Sequence, residues 1–374
     1  MRLCHVLPLG VVFLSMAPYR VEAQVDFTPP ADVKLATRFS VDPAAVWAEM
    51  PVTDRSNDFD QQRRTLEQVV AQVAGPLDQA QAHLALANWD LAIPTATPAT
   101  KWLLNMASEK DLKVLSEAAA GATEHLRQAR LLLKKVPTTT SAPADPAFSA
   151  ADVGRRKGLE SAADTLEPFR TALAAAVLTG DENSDKETRN QAARSLSAVR
   201  EVADEEVAAC ALMWQAFLWN LAGRDGRSTV SLPNATVKPA QPGYDFISRL
   251  LRCQILADNG HYPAAMAMAG RVRTSCAEWF PNEAREQIEA RERLAALEQC
   301  RIGGEWMSLL RKDNFPSNAD RLEALLVQVQ EAVFPMDKAP FTIYTLDRAV
   351  PLFISPPKLQ PGSRPAPSTA TSPG

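Results

Sequence analysis

Aromatic residues are scarce in this 374-residue sequence, at 6%, and histidine occurs four times. Strand cores favour aromatic and β-branched side chains, while alanine, which is abundant here, is the best helix former. The shortage therefore argues for helices over sheets. No block of five or more like charges occurs and the net charge is −4, which leaves no basic face for a nucleic acid. Beyond the N-terminus, no apolar run approaches the roughly 20 residues that cross a bilayer. Ala172 to Leu178 is among the longest. The sequence contains no G-x-S-x-G elbow, Walker loop, G-x-G-x-x-G or H-E-x-x-H. No cofactor is expected.

What is present is an ordinary globular mixture, 46% hydrophobic and 22% charged, able to build a sizeable core. The N-terminus reads as an export signal. Met1-Arg2 precedes an apolar run from about Val6 to Met16, and Val21-Glu22-Ala23 has the small-x-small cleavage form. Cleavage is expected after Ala23. Cys4 lies before the run, so it is no lipoprotein cysteine. The remainder is expected in the periplasm or outside the cell, without a membrane span.

Export places Cys210, Cys253, Cys276 and Cys300 where disulfides persist. Cys210 and Cys253 fall at similar heights if their helices are antiparallel. A bond closing that loop of roughly 43 residues would add about 4 kcal/mol on the chain-entropy model. Free buried thiols are the other reading for all four.

Aliphatic spacing predicts an all-α fold. A lead-in over 24–57 carries at most one short helix near Ala44–Glu49. Leu66, Val70, Val73, Leu77, Ala80, Leu84, Ala87 and Leu91 alternate steps of four and three, which puts them on one helix face. Gly75-Pro76 is read as a kink within that helix. Leu112, Leu115, Ala119, Ala122, Leu126, Ala129, Leu133 and Val136 form a second stripe behind a capping box at Ser108. A Pro/Thr/Ala linker spans 137–152. The third stripe runs from Leu159 to Ala176 with Pro168 inside it, and a fourth helix from about Lys186 to Leu221. These long antiparallel helices, 58–222, are expected to form a bundle or irregular α-solenoid.

A loop at 223–243 holds the one glycosylation sequon, at Asn234. Shorter helical hairpins follow over 244–334, with helices at about 244–258, 262–279, 282–302 and 319–333. The segment 335–354 is expected to pack back on the body as a strand or extended piece. Residues 355–374 are a Pro/Ser/Thr-rich tail.

Gly260-His261-Tyr262-Pro263-Ala264-Ala265 resembles the helix-to-helix turn of a tetratricopeptide repeat. The resemblance covers about residues 244–281. It implies that Gly260 relieves the turn, Tyr262 fills the groove and Ala265 permits close helix contact, in a hairpin of the kind that builds protein-binding surfaces. Ala87-Asn88-Trp89-Asp90-Leu91-Ala92 is a fainter echo. Arg249 and Cys253 replace the family's first-helix marks, the closing proline comes late at Pro281, and no 34-residue period extends over several units.

Candidate chemistry is thin. Asp181, Asn183 and Asp185 open like a calcium loop, but Lys186 stands where glycine is required and Ala192 where the bidentate glutamate belongs. Asp185 or Ser184 is expected to cap the following helix instead. His83, His125 and His261 are far apart and form no zinc motif, so no metal site is expected. His83 and His125 flank stripe positions and read as partly exposed helix histidines. Ser355-Pro356-Pro357-Lys358 matches S-x-x-K in form only. Glu201, Asp204, Glu205 and Glu206 read as a solvated acidic face. Trp214 and Trp219 read as core, with an exposed interaction patch as the functional alternative. The resulting expectation is an exported, non-enzymatic scaffold that binds another protein or peptide. The alternatives are an all-helical hydrolase or lyase using dispersed carboxylates, and an exported small-ligand binder.

Overall fold

In the computed structural model, the described residues are 38–49, 55–138, 148–202, 204–224, 226–228, 232, 240–334, 346 and 348–358. Residues 1–23, read above as an expected export signal, the sequon at Asn234 and residues beyond 358 lie outside them. The regular elements among the described residues are helices, without a strand.

The first half contains α1 (Pro43–Glu49), α2 (Arg55–Gln72), α3 (Pro76–Ala92), α4 (Ala96–Leu103), α5 (Glu109–Leu133), α6 (Ala150–Ala176), α7 (Glu182–Val202) and α8 (Glu205–Leu221). The second half contains α9 (Pro242–Asp258), α10 (Tyr262–Trp279), α11 (Arg285–Lys312) and α12 (Pro316–Val333). From α5 onward each helix packs on the next, and α3 packs on both α5 and α6. The main apolar core runs from Trp47 to Val350, and Ala296, Cys300 and Val329 form a small second cluster between α11 and α12.

The stripe on α5 is buried as its spacing predicts: Leu115, Ala119, Ala122, Leu126, Ala129 and Leu133 all face the core. Its capping box is complete, because Ser108 Oγ accepts from Asp111 N while the Asp111 carboxylate accepts from Ser108 N. A second box, Ser149 with Asp152, starts α6 inside the expected linker.

Three boundaries differ from the sequence reading. Gly75 has φ +91°, outside the helical region, so α2 and α3 are separate helices rather than one kinked helix. The expected fourth helix is divided into α7 and α8, because Asp204 accepts from Val207 N and starts a new helix. Its carboxylate is thus a cap within the acidic cluster. An additional helix, α4, accommodates Pro98 in its first turn, where the missing N–H is harmless.

The calcium-like segment is local capping. Asp181 Oδ2 accepts from Ser184 N, and Asp185 Oδ2 accepts from Gly180 N. Asp181, rather than Asp185 or Ser184, therefore caps the first turn of α7.

The ends of the described chain cross over the body. Near the N-terminus, Ser40 N and Val41 N donate to Gln330 Oε1 on α12 at 2.9 and 3.2 Å. Near the C-terminus, residues 349–355 lie on α3 and α8. A buried amide side chain holds main-chain groups at each extended end, Gln330 at one and Asn88 at the other.

Gly303 lies where α11 and α12 pack closely. A Cβ there would lie 2.5 Å from Leu326 Cδ2 and 3.0 Å from Cδ1, and Leu326 is fully buried. Gly303→Ala would gain about 1 kcal/mol of helix propensity. Overpacking against a side chain with no free space costs about 1–3 kcal/mol. A net loss of about 1 kcal/mol is expected in urea denaturation; a higher midpoint would contradict the close packing.

Candidate functional site

Helix α3 is buried on nearly all sides. Residues 84–92 are all buried, and two of them, Asn88 and Asp90, are polar. A helix apolar around its circumference normally lies inside a core. The two polar side chains point to different neighbours and define two faces.

Asn88 faces the C-terminal segment. Its Nδ2 donates to Pro351 O at 2.9 Å, and its Oδ1 accepts from Phe353 N at 3.1 Å and from Ile354 N at 3.4 Å. One turn and more beyond it, Ala92 O accepts from Ala349 N at 2.8 Å. Toward the start of α3, Gln81 Nε2 donates to Ser355 O at 2.8 Å. From α8, Trp214 Nε1 donates to Ala349 O at 3.0 Å, and Cys210 Sγ makes a weaker 3.2 Å contact with the same oxygen. The main-chain groups that α3 and α8 engage belong chiefly to residues 349, 351, 353 and 355. That two-residue period is the signature of an extended chain presenting alternate peptide groups to one side. Ala349, Val350 and Pro351 are buried; Leu352 points outward.

Asp90 faces the other way, toward α2 and α5. Gly121 on α5 makes room for it: a Cβ there would stand 2.6 Å from Asp90 Oδ2. Arg63 on α2 approaches Asp90 Oδ1 at 3.6 Å, and His125 Nε2 approaches Oδ2 at 3.8 Å. Oδ2 is buried and accepts no hydrogen bond. On its far side His125 meets His83, Nδ1 to Nδ1, at 3.2 Å. One ring must donate and the other accept. Burial raises Asp90 to about 6, against the opposing pull of Arg63. Burial, with His83 and Arg63 nearby, lowers His125 to about 4, and burial also lowers His83. Both rings are therefore neutral near pH 7, and either Nδ1 can accept from the other. Among the described residues, no group of three or more His, Cys, Asp or Glu is arranged to hold a metal ion.

The sequence-derived candidates fall as follows. Trp214 is core, buried with its Nε1 satisfied and packed edge-on against Phe217 at 6.0 Å, so it cannot form an exposed patch. Trp219 is half-buried against the same core. Cys210 and Cys253 are free thiols, not a disulfide. Their surroundings explain this: Cys210 turns to Ala349 and Tyr244, whereas Cys253 lies by Glu298 and Arg301 of α11. Burial holds both thiols protonated and pushes Cys276 and Cys300 up to about 12.

At the α9–α10 turn, Gly260 has φ +77°, Tyr262 stacks on Trp306 of α11 with centroids 6.3 Å apart, and Ala265 is fully buried. The fainter echo at Ala87–Ala92 lies inside α3 and forms no turn. His83 and His125 are partly exposed helix histidines as read from the sequence, and the fold brings them face to face.

The described surface carries open grooves. One of about 360 Å³ between α5 and α6 contains Arg127, Arg130 and Arg170, bound to Glu124, Asp164 and Glu167. No described helix is long and apolar enough to cross a membrane. Compared with protein-family models, curated proteins and solved structures, the chain matches none.

Proposed function

We propose that this chain is an exported helical scaffold that binds extended segments of protein along α3, without catalysis. The observation that supports the reading is the main-chain recognition of residues 349–355. Asn88 reads three peptide groups with one buried amide, while Ala92 O and Trp214 Nε1 fix a fourth residue. Hydrogen bonds to a peptide's backbone supply affinity, and the pockets for alternate side chains supply selection. Here the closed part of the track selects a small residue followed by Val-Pro, as in Ala349-Val350-Pro351.

The repeat-like hairpins from α9 to α12 serve this reading as a second helical surface. Their tetratricopeptide character rests on the Gly260 turn and on the seating of Tyr262 and Ala265. Export rests on the N-terminal sequence pattern.

A fluorescent peptide copying residues 346–358, titrated into the full-length protein, is expected to bind saturably by anisotropy. A peptide of the same composition with Ala349-Val350-Pro351 scrambled is expected to bind at least tenfold more weakly, whereas Asn88→Ala loosens the peptide and the chain's own segment alike. Failure to saturate at any peptide concentration would remove the track as a binding site.

A further inference from the structure

The geometry points to a binding site for a divalent transition-metal ion between Asp90 and His125, with His83 orienting the His125 ring. The site lies on the other face of α3 from Asn88 and stands independently of the peptide-binding reading.

The first argument is the Asp90 carboxylate. The residue is 3% exposed, and its Oδ2 is buried and accepts no hydrogen bond. A buried carboxylate oxygen without a partner is costly, and a bound cation is one of the few groups that satisfies it. Helix α5 is shaped around the same atom. A Cβ at position 121 would stand 2.6 Å from Oδ2 and 3.3 Å from the carboxyl carbon, so glycine there keeps the oxygen clear.

The second argument is the ring that faces it. His125 Nε2 stands 3.8 Å from Oδ2, too far for a hydrogen bond. A zinc-like ion bonded to both atoms at about 2.1 Å would hold them about 3.4 Å apart at the tetrahedral angle. Closing the difference takes about 0.4 Å, and the His125 side chain is 20% exposed, which leaves it room to move.

The third argument is His83. An imidazole that binds a metal characteristically donates its other N–H to an acceptor, which fixes the tautomer. His83 Nδ1 lies 3.2 Å from His125 Nδ1 and can be that acceptor. With the proton on Nδ1, the His125 Nε2 lone pair is left for the ion. Nothing in the spacing of the sequence shows this, because His83 and His125 come from different helices.

Charge and donor type set the class of ion. Arg63 approaches the other carboxylate oxygen, Oδ1, at 3.6 Å and leaves Oδ2 to the ion. Its Nε is also 3.3 Å from Glu67, a second partner for its charge. One imidazole and one carboxylate suit zinc and its first-row neighbours, whereas calcium and magnesium take oxygen ligands. Two protein ligands make an open site, with water in the remaining positions.

Zn2+ titrated by calorimetry into the chelator-washed full-length protein at neutral pH is expected to saturate one site. Asp90→Asn and His125→Gln are each expected to weaken binding at least tenfold. His83→Phe removes the acceptor and should weaken it about tenfold. His83→Gln restores an acceptor and should recover most of that loss, which a merely structural role for His83 would not produce. Binding that does not saturate, or that Asp90→Asn and His125→Gln leave unchanged, would overturn the proposal. If a variant does not fold, spectra of the unsubstituted protein labelled with 15N-histidine decide. Zn2+ is expected to shift His125 Nε2, to keep Nδ1 protonated and to leave His261 unmoved. His125 ring signals that stay in place at excess Zn2+ would refute the site.

Discussion

Asn88→Ala is expected to release the C-terminal segment while leaving the helices folded. The substitution removes the donor to Pro351 O and the acceptor for Phe353 N and Ile354 N. Each buried group left without a partner costs about 1–3 kcal/mol. The loss should be about 3 kcal/mol, since Pro351 is buried and Phe353 half-buried. The exposed Arg348 makes release measurable, because its bond to Ala349 is cleavable by trypsin only when Ala349 leaves its buried seat. When opening is fast relative to cleavage, the cutting rate follows the open population. At tenfold per 1.4 kcal/mol, the variant should be cut between 348 and 349 about a hundredfold faster than the native protein. Far-UV circular dichroism should barely change. An unchanged cutting rate would show that the amide does not hold the segment.

Helix positions were legible in the sequence wherever one flank is buried and the other wet. The α5 stripe is the clearest case, since Leu115 through Leu133 repeat on one face and a complete box fixes the start. Breaks were less legible. The spacing kept its phase across Gly75, so periodicity alone could not distinguish a kink from a backbone turn at φ +91°. The division at Asp204 was hidden because its carboxylate sits among other acids and reads as part of a solvated face.

The candidate site was hidden for a different reason. An apolar stripe marks a helix buried along one flank, but α3 is enclosed on nearly all sides. Asn88 and Asp90 then appear as interruptions rather than as the two polar side chains of α3 that are buried in the core. The usable signal was the flanking run Leu84-Ala85-Leu86-Ala87 and Leu91-Ala92, apolar at positions facing every direction. The meeting of His83 with His125 followed from nothing local, because it depends on how α3 and α5 are paired.

That pairing makes Asp90 the residue with the largest expected pH effect. Its carboxylate is nearly excluded from water, and burial raises it from an ordinary 3.8 to about 6. A carboxyl raised by folding binds its proton more tightly in the native state. It therefore destabilises the fold when ionised above pH 6, and that cost fades as pH falls from 6 to 4. Two pH units correspond to about 3 kcal/mol. Asp90→Asn removes the charge while keeping the shape, at the loss of the 3.6 Å contact with Arg63.

The variant should thus be more stable than the native protein by about 2 kcal/mol at pH 8. The advantage should shrink between pH 6 and 4 and vanish below 4. The other charged groups around the site are Arg63 and Glu67 from α2 and Glu124 from α5, and they are common to both proteins. So are the lowered histidines, His83 and His125, which cost both proteins stability as pH falls below about 6.5. In the native chain their loss is offset by the proton Asp90 takes up. The variant lacks that compensation, so its denaturation midpoint should decline more steeply on acidification. Chemical denaturation at pH 8, 6, 5 and 4 measures the difference directly. A gap that stays constant, or a variant less stable at pH 8, would mean that Arg63 and His125 compensate the buried carboxylate in full.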